Sequence, residues 1–97
     1  MTSLQIKPST KPNKKLMAVF TRENGRKKTT HFGASGMDDY TITKNKEQRA
    51  RYRKRHQKDL QTRDPMRAGF LSYYILWGES TSRQENIRKY KKRFNFK

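Results

Sequence analysis

Apolar positions are sparse in this chain, and they fall into clusters of different period. The first, LMAVFT at residues 16–21, puts Leu16, Ala18 and Phe20 on one side of an extended segment and Met17 and Val19 on the other. It ends at Arg22-Glu23-Asn24-Gly25, and the mostly polar run RKKTTHF follows. Asn-Gly between two such arms predicts a β-hairpin over residues 16–32, because both residues tolerate the positive φ of a type I′ turn. A hairpin alone is barely stable in water, so this one must pack on something.

The second cluster, MRAGFLSYYILW, follows Asp64-Pro65. Asp64 reads as an N-cap and Pro65 as the first helical residue, where a missing amide costs nothing. The pattern predicts a helix over residues 65–77. Met66, Phe70, Tyr73, Tyr74 and Trp77 lie along one side, Leu71, Ile75 and Leu76 add others, and Gly78 is a left-handed stop. Burying each large apolar side chain contributes about 1.5–3 kcal/mol, and no other segment holds so many. SYYILW is therefore read as core rather than as a surface for stacking bases or docking a protein. Phe70→Ala or Trp77→Ala should cost about 3–5 kcal/mol.

A helix is also predicted over residues 45–60, capped by Thr43 or Asn45, with Gln48 three residues after Asn45. Ala50, Tyr52, His56 and Leu60 are its only residues that seek cover, and Tyr52, His56 and Leu60 make a narrow stripe with Arg49 at its edge. A third helix begins near residues 80–82, where Thr81 with Gln84 and Ser82 with Glu85 match the capping box. It places Ile87, Tyr90 and Phe94 on one face among Arg88, Lys89, Lys91, Lys92 and Arg93. Between hairpin and first helix, FGASGMDDYT reads as a turn in which Gly33 and Gly36 permit positive φ or close approach. Residues 1–14, with Pro8 and Pro12, read as an extended basic arm. The expected architecture is α+β: an arm over 1–14, a core over 15–79 in which the hairpin packs on the apolar helix with the basic helix beside it, and a basic amphipathic helix and tail over 80–97.

Composition sharpens this picture. Lysine and arginine total 25 against 8 acidic residues, a formal charge of +17 on 97 residues, and only 30% of residues are hydrophobic. Self-repulsion on that scale favours any polyanion that neutralises it. One domain is the most this length holds, and it buries roughly 60–65% of its unfolded surface. With no cysteine, thiolate metal sites and disulfides are excluded. No apolar run approaches the roughly 20 residues of a membrane span, and residues 1–15 lack the apolar core of a signal peptide.

Candidate chemistry is correspondingly narrow. The acids are scattered apart from Asp38-Asp39, which reads as a turn or cap pair, or a partner of the basic helix, rather than a metal site. His56 at helical spacing from Tyr52 reads as a packed or half-exposed histidine rather than a catalytic base. No catalytic residue, metal site, cofactor or small-molecule substrate is expected. FGASG lacks the Lys-Ser/Thr of a P-loop and reads as a turn rather than a phosphate cradle. The strongest electrostatic feature is RARYRKRHQK: Arg49, Arg51, Arg53, Lys54, Arg55 and Lys58 are candidates for binding an anionic partner, either nucleic acid or an acidic protein surface. Arg53→Ala should leave folding nearly unchanged. Ile87, Tyr90, Phe94 and Phe96 are candidates for docking on a protein partner, with packing on their own core as the alternative.

FGASGMDDYT, KEQRARYRKRHQKD and DPMRAGFLSYYILWG together resemble a family of small basic proteins encoded by large double-stranded DNA viruses of algae and amoebae. The resemblance covers roughly residues 32–78. The family has no established activity, so no site residues carry over. It implies a setting: the virion, and the host cytoplasm during assembly. The resulting expectation is a non-enzymatic minor capsid or cement-type protein bound to other capsid proteins, with sequence-independent binding and condensation of the packaged DNA as the alternative.

Overall fold

The computed structural model describes residues 1–97 as one α+β unit, a three-stranded antiparallel sheet followed by helices. Strands β1 (Ser3–Pro8), β2 (Lys14–Thr21) and β3 (Lys27–Ala34) lie in sequence order, with β2 central. Leu4 pairs with Phe20, Ile6 with Ala18, and Phe32 with Leu16, so alternate residues of all three strands share one face. Ala18, Phe20 and Phe32 on that face are fully buried.

The expected hairpin is present as β2–β3, but its turn differs. Only Gly25 of the Asn-Gly pair has positive φ, at 84°. Gly25 N donates to Arg22 O and Arg22 N to Arg26 O, while the Asn24 side chain accepts from Arg26 N. This is the longer hairpin loop, in which one left-handed glycine follows an ordinary turn. Residues 1–14 are extended as expected, yet they are not a separate arm. Residues 3–8 are a sheet strand, and the C-terminal residue seals its end: Leu4 N donates to Lys97 O and Lys97 N to Thr2 O. Leu4 and Ile6 at alternate positions supply the apolar face that draws this strand in.

The sheet's inner face is covered by residues 68–76, on which the last helix packs in turn, and by Phe96 against Phe20. Helices α1 (Tyr40–Thr43) and α2 (Lys46–His56) come first, and α2 passes into a 3-10 turn at Gln57–Thr62. Asn45 caps α2 by accepting from Gln48 N at 3.0 Å. The apolar helix begins later than Asp64-Pro65 suggests. Asp64 folds residues 64–67 into a tight turn, its side chain accepting from Met66 N and its carbonyl from Arg67 N. The carbonyls of Pro65 and Met66 accept instead from the Tyr90 and Thr30 hydroxyls, contacts from distant elements that override the local helix signal. Helix α3 (Ala68–Leu71) then widens into a π-helical turn at Ser72–Leu76, closed by Trp77 N donating to Ser72 O at 3.0 Å.

Gly78 does not stop this segment through a left-handed conformation. It is required because a Cβ there would lie 2.1 Å from Tyr74 O and 2.9 Å from the Asn86 side chain. Asn86, itself buried, holds the following loop by donating to Ile75 O and Ser80 O and accepting from Ser80 N. Helix α4 (Arg83–Arg93) starts at Ser82, whose hydroxyl accepts from Glu85 N, as its capping pattern predicts. Phe70 and Trp77 are buried, in keeping with the core assignment. No buried side-chain nitrogen or oxygen lacks a hydrogen-bond partner.

Candidate nucleic-acid interface

The six predicted anion-binding residues divide by the 3.6-residue period of α2 into two sets. Arg49, Tyr52, Arg53 and His56, at i, i+3, i+4 and i+7, face the protein. Arg51, Lys54, Arg55 and Lys58, with the same spacing, are exposed on the opposite side, Lys58 lying just beyond α2 in the 3-10 turn. None of these four has a carboxylate within salt-bridge distance. They form an uninterrupted cationic stripe. Ala50, expected to seek cover, lies on the exposed side as well.

The inward set is structural. Arg53 Nη1 donates to Trp77 O at 2.8 Å and Tyr73 O at 3.4 Å, and its guanidinium lies 4.0 Å from the Tyr73 ring centroid. Arg49 Nε donates to Gly78 O at 2.6 Å, with its guanidinium 5.6 Å from the Tyr40 ring. Two arginines of one helix thus satisfy the orphan carbonyls that end another, where a helix terminus carries partial negative charge. Burial, with the like charge of Arg53, pulls Arg49 below the ordinary arginine value. The expectation that Arg53→Ala leaves folding unchanged is therefore corrected: that side chain fastens α2 to the core. Between the arginines, Tyr52 is sandwiched by His56 at 4.2 Å and Trp77 at 4.3 Å, which attaches a helix otherwise poor in apolar residues. His56 stacks on Tyr52 yet keeps its outer edge exposed, with its Nδ1 3.0 Å from Asp59.

The candidate docking residues do not form a free surface. Tyr90 is 1% exposed and donates its hydroxyl to Pro65 O, and burial raises its pKa. Phe94 packs edge-on against Phe70 and Tyr74 at 5.7 and 5.5 Å, Phe96 lies 5.2 Å from Phe20, and Ile87 joins the same core. All four pack on the chain's own core, as the alternative expects: Tyr90 is buried within it, and Ile87, Phe94 and Phe96 are half-buried against it. The separate tail over 80–97 is likewise part of the single unit.

Asp39 is the residue whose role the sequence understated. It is 1% exposed and ends the turn after β3, where it caps α1 by accepting from Thr41 N at 2.8 Å and from the Thr41 hydroxyl. Lys15 Nζ lies 2.6 Å from its carboxylate and Arg83 Nη2 3.1 Å, which joins β2 and α4 to α1. Burial pushes its pKa up, but hydrogen bonds from Lys15 and Thr41 and the charges of Lys15 and Arg83 outweigh that and hold it below the ordinary value. Asp39 is thus a cap and ion-pair partner, though of β2 and α4 rather than of the basic helix. Gly33 and Gly36 both adopt positive φ, at 78° and 81°. No helix is long and apolar enough to cross a membrane.

Of the 25 lysines and arginines, only Lys15, Arg67, Arg83, Arg88 and Lys89 lie within 4.0 Å of a carboxylate. The surface is thus an almost uncompensated cationic shell, with the stripe on α2 as its most regular part. No curated protein and no solved structure matches the sequence. A family of unknown function, DUF5754, matches residues 4–56, which span the sheet, α1 and all of α2 and make up more than half of the chain. The chain belongs to that family, DUF5754.

Proposed function

We propose that this protein binds double-stranded nucleic acid without sequence preference and without catalysis, neutralising the phosphate charge of a packaged viral genome. The observation that carries the reading is the stripe of Arg51, Lys54, Arg55 and Lys58, exposed and free of acidic partners on a helix whose opposite face is locked to the core. A row of cations on a rigid support meets backbone phosphates and releases counterions, whichever bases lie between them. The viral setting rests on the resemblance of residues 32–78 to small basic proteins of large DNA viruses. The expected measurement is equal affinity, within about twofold, for duplexes of unrelated sequence. That affinity should fall by roughly 0.9 log unit per contacted phosphate for each log unit of salt. Absence of binding at about 0.15 M salt, or strong preference for one sequence, would contradict the proposal.

A second reading, a minor capsid or cement-type component, is favoured by Met37 and Ile42. Met37 just before α1 and Ile42 within it are 63% and 52% exposed. Gentle disruption of particles separates the readings: a genome binder stays with the DNA, a cement protein with the shell.

A further inference from the structure

Between α2 and α4 lies a cavity of about 480 Å³ lined by Arg53, Tyr73, Tyr74, Glu79, Lys89 and Arg93, among others. We propose that it is a seat for one phosphodiester group of a nucleic-acid backbone, gripped by Arg53, Lys89 and Arg93. The inference rests on the nucleic-acid reading above and adds a specific contact to it.

Lys89 and Arg93 are four residues apart and so lie on one face of α4, while Arg53 enters from α2. Arg53 is already fixed: Nη1 is held by the Trp77 and Tyr73 carbonyls, and the guanidinium lies over the Tyr73 ring. Its Nε and Nη2 have no acceptor in the chain, and since no buried side-chain nitrogen is left without a partner, they open to solvent. Arg93 lies 4.9 Å from the Tyr74 ring centroid and has neither a carboxylate nor a hydrogen-bond partner of its own. A guanidinium held in place this way loses little freedom when it grips an anion, and its planar fork suits phosphate oxygens.

Lys89 is loosely held. Its nitrogen is 3.5 Å from Glu79, whose side chain is 74% exposed, and 4.0 Å from Glu85, which Arg88 holds at 2.6 Å. Glu79 is the one acid lining the cavity, against three cations, and it can swing into solvent as a phosphate enters. The ligand is a phosphate rather than a base, because Arg53 and Arg93 already cover the tyrosine rings on which a base would stack. A contact of this kind adds affinity without reading sequence.

The test has two arms. In the first, inorganic phosphate is titrated into the full chain while arginine Nε–Hε resonances are followed. The Arg53 and Arg93 signals should shift together and saturate, with Arg51 unmoved, and Arg93→Gln should remove the Arg53 shift. Linear shifts shared equally with Arg51 would overturn the seat. In the second, Lys89→Gln/Arg93→Gln is compared with Lys91→Gln/Lys92→Gln, an equal loss of charge from the same helix. Duplex affinity should fall at least fivefold further for the first pair, with the salt slope reduced by about 0.9. Equal losses would overturn the assignment of the seat to nucleic acid while leaving general DNA binding intact. Failure of the unaltered protein to bind duplex would instead remove the functional reading, and the phosphate titration would still judge the seat.

Discussion

Replacing Asp39 by asparagine should destabilise this fold more than any other single change of charge. The carboxylate is 1% exposed, and Lys15 beside it has a side chain only 12% exposed. Removing the negative charge leaves the Lys15 ammonium confined without a counter-ion and Arg83 without its acidic partner. Breaking a buried pair by removing one partner costs about 3–5 kcal/mol. Asparagine keeps an oxygen that can still cap Thr41 N, so the capping contribution of about 1 kcal/mol is largely retained. A loss of about 3–4 kcal/mol follows, which in a domain of this size lowers Tm by about 12–30 °C. The effect also has a pH signature. Because the folded carboxyl titrates below the ordinary value of 3.8, its contribution is fully present above that value and is lost as pH falls through the lower folded value. The unaltered protein should therefore lose stability on acidification below about pH 4, and Asp39→Asn should flatten that dependence. Urea melts across pH, with Asp38→Asn as the exposed control, provide the assay. A loss below about 1 kcal/mol for Asp39→Asn, or equal effects at the two positions, would refute the reasoning.

Three further outcomes are expected. Gly78→Ala should cost at least about 2 kcal/mol in a thermal melt, since the new Cβ would collide with the Tyr74 carbonyl, a backbone atom that cannot move aside cheaply. Arg53→Gln should cost about 1.5–3 kcal/mol because the Trp77 and Tyr73 carbonyls are left without their charged donor, whereas Arg51→Gln should lie within about 0.5 kcal/mol of the parent. Phe94→Ala with Phe96→Ala should destabilise by at least about 3 kcal/mol and accelerate amide exchange in β1, because Phe96 packs on Phe20 of the sheet. A pair of free docking residues would leave both quantities unchanged.

Much of the fold was legible because burial has a period. The apolar run at 16–20 marked a strand, though with both of its faces apolar it did not say which turns inward, and the density of large apolar residues at 70–77 located the core. Caps written in side chains, at Asn45 and Ser82, were legible too. What escaped depends on distant partners. Leu4 and Ile6 carry too little pattern to announce a strand until β2 is there to pair with. The helix start at Asp64-Pro65 fails because Thr30 and Tyr90 claim the carbonyls of Met66 and Pro65. Left-handed turns at Lys44 and Arg63 use residues that seldom mark such a conformation. At the candidate site, the run of cations was visible, but its division was not. A stripe of charge has the same spacing whether it faces water or a helix end, and only the position of Trp77 and Gly78 decides that Arg49 and Arg53 turn inward.

That division is the centre of the account, and one variant tests it directly. Arg51→Gln, Lys54→Gln, Arg55→Gln and Lys58→Gln together remove the outward stripe and leave Arg49, Arg53 and the Tyr52 stack in place. Duplex affinity of this variant, measured from low salt to about 0.15 M, should fall steeply. Its salt slope should flatten by about 0.9 for each phosphate no longer neutralised, while the melting curve stays close to that of the parent. Unchanged affinity and slope in a folded variant would contradict the account.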